Sequence, residues 1–103
     1  METRLVFTTF GDLESARRVV RTLVDERLAA CGNILPAVES IYRWKEEVEA
    51  ATEVLVIFKT AAYPSLEARL RELHPYELPE IVALAPSAAL PDYLRWIAEN
   101  SGE

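Results

Sequence analysis

Residues 54–58 read VLVIF, five apolar side chains in a row within the longer segment VEAATEVLVIFKT. Branched and aromatic residues favour a strand, and successive side chains of a strand point to opposite faces. A sheet built around this strand therefore needs cover on both faces. With 103 residues the chain forms one domain (1–103) with one core, and a single helical layer covers only one side. A homo-oligomer follows more naturally than a monomer.

The remaining segments fall into place around that strand. RLVFTTF (4–10) reads as a strand that Gly11 breaks, and Asp12 can cap a helix through its carboxylate. Leu13, Ala16, Val20, Leu23, Val24 and Leu28 recur at helical spacing, and CGN (31–33) is expected to stop the helix. In ILPAVESIYRWK, period two places Ile34, Pro36, Val38, Ser40, Tyr42 and Trp44 on one face, with Pro36 at an edge or a bulge. A turn near Lys45 to Glu47 leads into the third strand. A dozen extended residues reach about 40 Å at about 3.3 Å each, roughly twice the usual strand, so the hairpin should overhang its own domain.

Pro64 fits the first turn of a second helix with Leu66, Leu70 and Leu73 inward, and Glu67 is spaced to pair with Arg71. His74-Pro75 ends it. IVALA (81–85) reads as a short buried strand, and Pro91 opens a third helix with Leu94 and Ile97 inward. The order β-α-β-β-α-β is that of an α+β, ferredoxin-like sandwich, here with an extended β-hairpin and a C-terminal helix.

A formal net charge of −6 without a basic stripe argues against nucleic acid. One cysteine, Cys31, excludes an intramolecular disulfide and a Cys-only metal site within one subunit. The apolar runs are too short to span a membrane and no secretory start is visible, so the expected location is cytoplasmic. Glycine-rich phosphate loops, HExxH spacing and an obvious nucleophile–base pair are all missing, and the expectation is a non-enzymatic protein.

The lone histidine stands in HPYELPE (74–80). A neutral ring nitrogen of His74 can bind a metal, with Glu77 or Glu80 supplying oxygens. Equally, a histidine ending a helix can hydrogen-bond a backbone carbonyl. Cys31 reads as a thiolate ligand or as a small buried apolar residue. Glu53 and Lys59 flank the apolar strand, where they can pair with charges in an inter-subunit cleft or stay solvated. Tyr42, Trp44 and Trp96 suit interface packing better than a ligand-stacking platform.

With these elements placed, the sequence resembles the CutA divalent-cation tolerance family. The resemblance is carried by LAACGNILP, ESIYRWK, EVLVIFKT, HPYELPEIVAL and YLRWI, in that order along nearly the whole chain. It implies a compact homotrimer whose sheets pack together and whose hairpins reach neighbours, an architecture similar to PII signalling proteins. Its interface or inter-subunit cleft would draw on Cys31, Asn33, Tyr42, Trp44, Glu53, Lys59, Tyr76 and Trp96. Copper binding has been proposed for that family, through a first-strand cysteine and a histidine pair ending the second helix. Here Thr8 or Thr9 and Leu73 stand at those places, and only His74 carries over. Glu46 also replaces a glycine frequent in the hairpin turn. Taken with the local spacing of HPYELPE, this leaves the expectation of a weakly bound divalent metal (copper or zinc) at His74, Glu77 and Glu80, no organic cofactor, and the chain itself and metal ions as partners. The alternatives are a PII-like regulatory module taking a small ligand or protein between subunits, and a structural trimer that docks partners.

Overall fold

The computed structural model describes residues 2–102. Its elements run β1 (Arg4–Phe10), α1 (Leu13–Asp25), β2 (Cys31–Trp44), β3 (Glu47–Thr60), α2 (Tyr63–Leu73), β4 (Val82–Leu84) and α3 (Pro91–Asn100). The four strands form one sheet in the order β2-β3-β1-β4, with every neighbouring pair antiparallel. This is the expected α+β arrangement.

Cross-strand partners share a face, and that rule divides the sheet into two sides. Val6, Phe10, Val54, Val56 and Phe58 are buried on one side against Val19, Val20 and Leu23 of α1 and Leu66 and Leu70 of α2. Gly32 lets α1 approach, because a Cβ there would lie 2.8 Å from Val20 Cγ1 and 3.1 Å from the Phe58 ring. The opposite side carries Leu5, Phe7, Leu55 and Ile57 with Leu35, Val82 and Leu84. None of these is fully buried, and Val82 and Leu84 are 49% and 50% exposed. Within this chain α1 and α2 cover one side of 54–58, and on the other side α3 reaches only the Cys31–Lys59 end through Tyr93.

Several local expectations are corrected. Helix α1 starts as read, with Asp12 Oδ2 accepting from the Ser15 backbone N–H at 2.8 Å. Its end comes before Cys31, where Leu28 N–H reaches Leu23 O and Arg27 N–H reaches Val24 O. That bond pair is a Schellman cap, and Arg27 takes the left-handed φ of 62° usually given to glycine. CGN is therefore the start of β2 and not a helix stop. The single face expected for Ile34 through Trp44 is broken by a bulge between Leu35 and Val38. The extra residue beside Pro36 shifts the parity: Ile34 pairs with Val56 on the helical side, whereas Val38 pairs with Glu53 on the open side. Glu67 takes the Tyr63 hydroxyl, and Arg69 rather than Arg71 forms the ion pairs of α2, with Glu26 and Glu72. Residues 81–85 reduce to a three-residue edge strand that is half exposed.

The hairpin is as long as read, 14 residues on each side, in a molecule measuring 44 × 26 × 22 Å. Trp44 and Glu47 close it over the two-residue turn Lys45-Glu46, with φ of 50° and 71°. Positive φ at both positions is the type I′ pattern, whose twist matches that of the strands.

Candidate functional site

Beyond the bulge, Val38, Ser40, Tyr42 and Trp44 lie on the open side of the sheet with Ala51 and Glu53. The segment after α2 returns along the same side, since Pro75 and Pro79 restrain it and β4 must reach the edge of β1. Between hairpin and returning segment lies an open groove of about 1170 Å³. Tyr42, Trp44, Glu53, Tyr76, Glu77 and Glu80 line it, together with Thr9, Ser40 and Thr52. Glu53 and Tyr76 are half-buried, and Glu77 and Glu80 are exposed.

His74 is not part of that lining. It is 7% exposed and stacks on Phe10, with ring centroids 4.4 Å apart and planes 12° from parallel. Its Nε2 lies 2.8 Å from the Thr9 carbonyl, and its Nδ1 accepts the Tyr76 backbone N–H at 3.1 Å. A carbonyl only accepts and an amide N–H only donates, which fixes the neutral Nε2–H tautomer. Burial pushes the His74 pKa below its ordinary value, against an upward pull from the Thr9 carbonyl and the Glu53 charge. Both ring nitrogens are committed inside the chain, leaving no lone pair for a metal.

The expected cluster of His74, Glu77 and Glu80 is therefore not formed within one chain. Among the described residues no three of His, Cys, Asp and Glu converge to hold an ion. The helix-terminal alternative describes His74, which pins residues 74–76 onto β1. The pinned segment carries Tyr76, whose hydroxyl donates to Glu53 Oε2 at 2.7 Å. Burial first, and the bonded carboxylate second, push the Tyr76 pKa well above the usual phenol value.

The other expected residues gather at the far end of β3. Lys59 Nζ donates to Asn33 Oδ1 at 2.6 Å and stands 5.9 Å from the centre of the Tyr93 ring. The Cys31 thiol lies 3.9 Å from the Tyr93 hydroxyl, and Trp96 stacks on Tyr93 at 5.5 Å. Tyr93 joins the cluster without having been singled out as a site residue. Its helical spacing from Trp96 was visible, but the approach of α3 to the start of β2 was not. Cys31 is half-buried beside a phenol. Lys59 and Glu53 occupy opposite ends of the open face and belong to different clusters.

An antiparallel ferredoxin-like sheet with α1 and α2 on one side and a long hairpin overhanging a groove defines the class of domain. A family profile described as CutA1 divalent ion tolerance protein matches residues 4–100. The "Divalent-cation tolerance protein CutA" of Thermus thermophilus is 47% identical over 100 residues, which are 95% of this chain and 97% of that protein. Its counterpart in Pyrococcus horikoshii is 41% identical over 99 residues, covering 94% and 96%. The solved structure of the divalent cation tolerance protein (Cut A1) from T. thermophilus superposes with a TM-score of 0.93 at 46% identity, covering 97% of this chain and 99% of that one. Mouse "Protein CutA" is 40% identical over 93 residues, and the chain spans about half of its length (52%). The chain belongs to the CutA divalent-cation tolerance family. Among the described residues no helix is long and apolar enough to cross a membrane.

Proposed function

We propose that this chain is a non-enzymatic, homotrimeric divalent-cation tolerance protein that takes divalent cations weakly through the carboxylates of its groove and not through His74. One observation carries the reading: the groove wall holds Glu53, Glu77 and Glu80 and, among the described residues, no Lys, Arg or His. Carboxylate oxygens suit hard divalent ions and also serve zinc. Copper is served less well without an imidazole. Three carboxylates that do not converge within one chain leave water or a neighbouring copy to complete the coordination. The apolar face of Leu5, Phe7, Leu55 and Ile57, incompletely buried and continued by the exposed Leu35, Val82 and Leu84, supports assembly, since a face of this kind is normally covered.

Calorimetric titration with Mn(II), Zn(II) and Cu(II), combined with sedimentation equilibrium at micromolar concentration, tests both parts. Saturable binding that falls in a Glu53→Gln/Glu80→Gln variant, on a species of three chain masses, is the expected result. Binding unchanged in that variant removes the carboxylate site, and a clean monomer removes the trimer. Trp44→Ala should loosen the trimer while secondary structure persists.

A second reading, a PII-like regulatory module that takes a small ligand, is favoured by the groove itself. Its volume of about 1170 Å³ is far more than an ion needs and is of the order seen for small-molecule sites. The aromatic walls of Tyr42, Trp44 and Tyr76 also serve an organic ligand better than a metal.

A further inference from the structure

We infer that the Lys59 end of the open face binds a small carboxylate, held beside α3 by Lys59, Asn33 and Tyr93. This is the end opposite the cation groove, so neither site depends on the other. Cys31, Lys59, Leu5 and Leu84 are successive cross-strand partners and form one row across the open side. Lys59 is the one charged residue of that row and is half-buried. Its partners are uncharged: Asn33 Oδ1 accepts from it at 2.6 Å, and the Tyr93 ring centre lies 5.9 Å away. The chain carries 17 acidic residues, yet no ion pair among the described residues includes Lys59. Assembly over Leu5, Phe7, Leu55 and Ile57 takes further water from this row. An ammonium left there without a counter-ion is costly.

The groups around Lys59 define what the counter-ion is. An ammonium only donates, so Asn33 turns its oxygen to Lys59, and its NH2 has no partner among the described residues. The Tyr93 hydroxyl has only the Cys31 thiol, at 3.9 Å. Ammonium, amide and phenol hydrogens without an acidic group make a donor set for an oxyanion. One positive charge among neutral donors, in a chain of net charge −6, matches a monoanionic carboxylate better than a dianionic phosphate. Two sources of a carboxylate remain, a free small anion and a side chain of a neighbouring copy. Tyr93, with Trp96 stacked on it at 5.5 Å, already occupies space that a neighbour would need to deliver a side chain here. That favours the free anion.

The test uses acetate as the probe, acetamide as its neutral isostere and inorganic phosphate as the more highly charged anion, each at constant ionic strength in chloride. The chain has two asparagines and no glutamine. Its side-chain ¹⁵NH2 spectrum therefore holds only Asn33 and, as internal reference, Asn100, which donates to the Trp96 carbonyl. Acetate should shift the Asn33 pair saturably and leave Asn100 in place, and acetamide should bind at least about tenfold more weakly. Lys59→Gln should weaken acetate by at least about tenfold and Tyr93→Phe by about threefold, whereas Lys59→Arg, which keeps the charge, should retain it. Sedimentation of the same samples should give one unchanged mass. Equal binding of acetate and acetamide overturns the inference, as does phosphate binding tighter than acetate. An Asn33 signal that ignores acetate also overturns it. If Lys59→Gln then splits the assembly, the counter-ion is a neighbouring copy's carboxylate; if the mass holds, Lys59 is simply solvated.

Discussion

Tyr76 and Glu53 lie 23 positions apart in the chain and are joined by a 2.7 Å hydrogen bond from phenol to carboxylate. That bond ties the segment after α2 to the base of the hairpin and sets the width of the groove. His74 fixes the backbone of the same segment from the other side, through Thr9 and the Tyr76 amide. The groove is thus held by two polar contacts at adjacent points, one of them built on the only histidine.

Tyr76→Phe removes the first contact and little else. A hydrogen bond to a charged acceptor contributes about 1.5–3 kcal/mol, and the half-exposed setting of Glu53 reduces that to about 1 kcal/mol. Urea denaturation should show a loss of that order with an unchanged slope. Amide exchange should quicken across residues 75–81 while the core strands keep their protection. Unchanged exchange in 75–81 would mean that the prolines alone hold the segment.

The second contact gives the protein an acid-sensitive element. The folded-state pKa of His74 lies below its ordinary value, chiefly through burial, so the unfolded chain binds the proton more readily. Stability is then complete above the unfolded value of about 6.5. It declines as pH falls from there through the folded value, with a slope approaching about 1.4 kcal/mol per pH unit for one proton. Protonation places a hydrogen on Nδ1, directly against the Tyr76 N–H, and residues 74–76 should release first. A thermal-melting series from pH 7.5 to 5 checks the trend, and the Cε1–H signal of the single histidine reports its titration without ambiguity. An imidazole titrating at or above 6.5 would contradict the buried neutral ring.

Much of the fold was legible because each element announces itself locally. Period-two and helical spacings, Asp12, Pro64 and Pro91 placed the elements, and the length of the two middle strands announced the overhanging hairpin. What escaped depends on single-residue geometry or on distant partners. The bulge beside Pro36 is one extra residue, yet it separates Ile34 from Val38 and decides which side chains face the groove. Arg27 ends α1 in a conformation that its residue type does not advertise. His74 was readable as the end of a helix, but its partner Thr9 is 65 positions away. No spacing rule within HPYELPE reveals that both nitrogens are already used. The division of the expected cleft residues into a Glu53 cluster and a Lys59 cluster likewise follows from register across β3.

Gly32 is a position where packing alone dictates the residue. A methyl group there would sit 2.8 Å from Val20 Cγ1 and 3.1–3.2 Å from two Phe58 ring carbons. Phe58 is fully buried and Val20 nearly so, leaving neither side chain much room to withdraw. Gly32→Ala should destabilise the fold by about 1–3 kcal/mol, the usual range for overpacking, although alanine suits an extended backbone better than glycine. A melting temperature equal to or above that of the parent would show that α1 can move away from β2 at little cost.

The hairpin turn offers the opposite case, where glycine is missing from a place that favours it. Lys45 and Glu46 both adopt left-handed φ, which costs a residue bearing a Cβ roughly 1–2 kcal/mol. Glycine has no such penalty but loses more chain entropy on folding, so the net gain for Glu46→Gly should be about 1 kcal/mol. The turn is exposed and solvated, so no packing is lost in the exchange. Chemical denaturation should show a higher midpoint, with cross-strand contacts between Trp44 and Glu47 retained in solution spectra. A variant no more stable than its parent would mean that the Glu46 side chain contributes something that offsets its backbone strain, with contact to a neighbouring copy the first place to look.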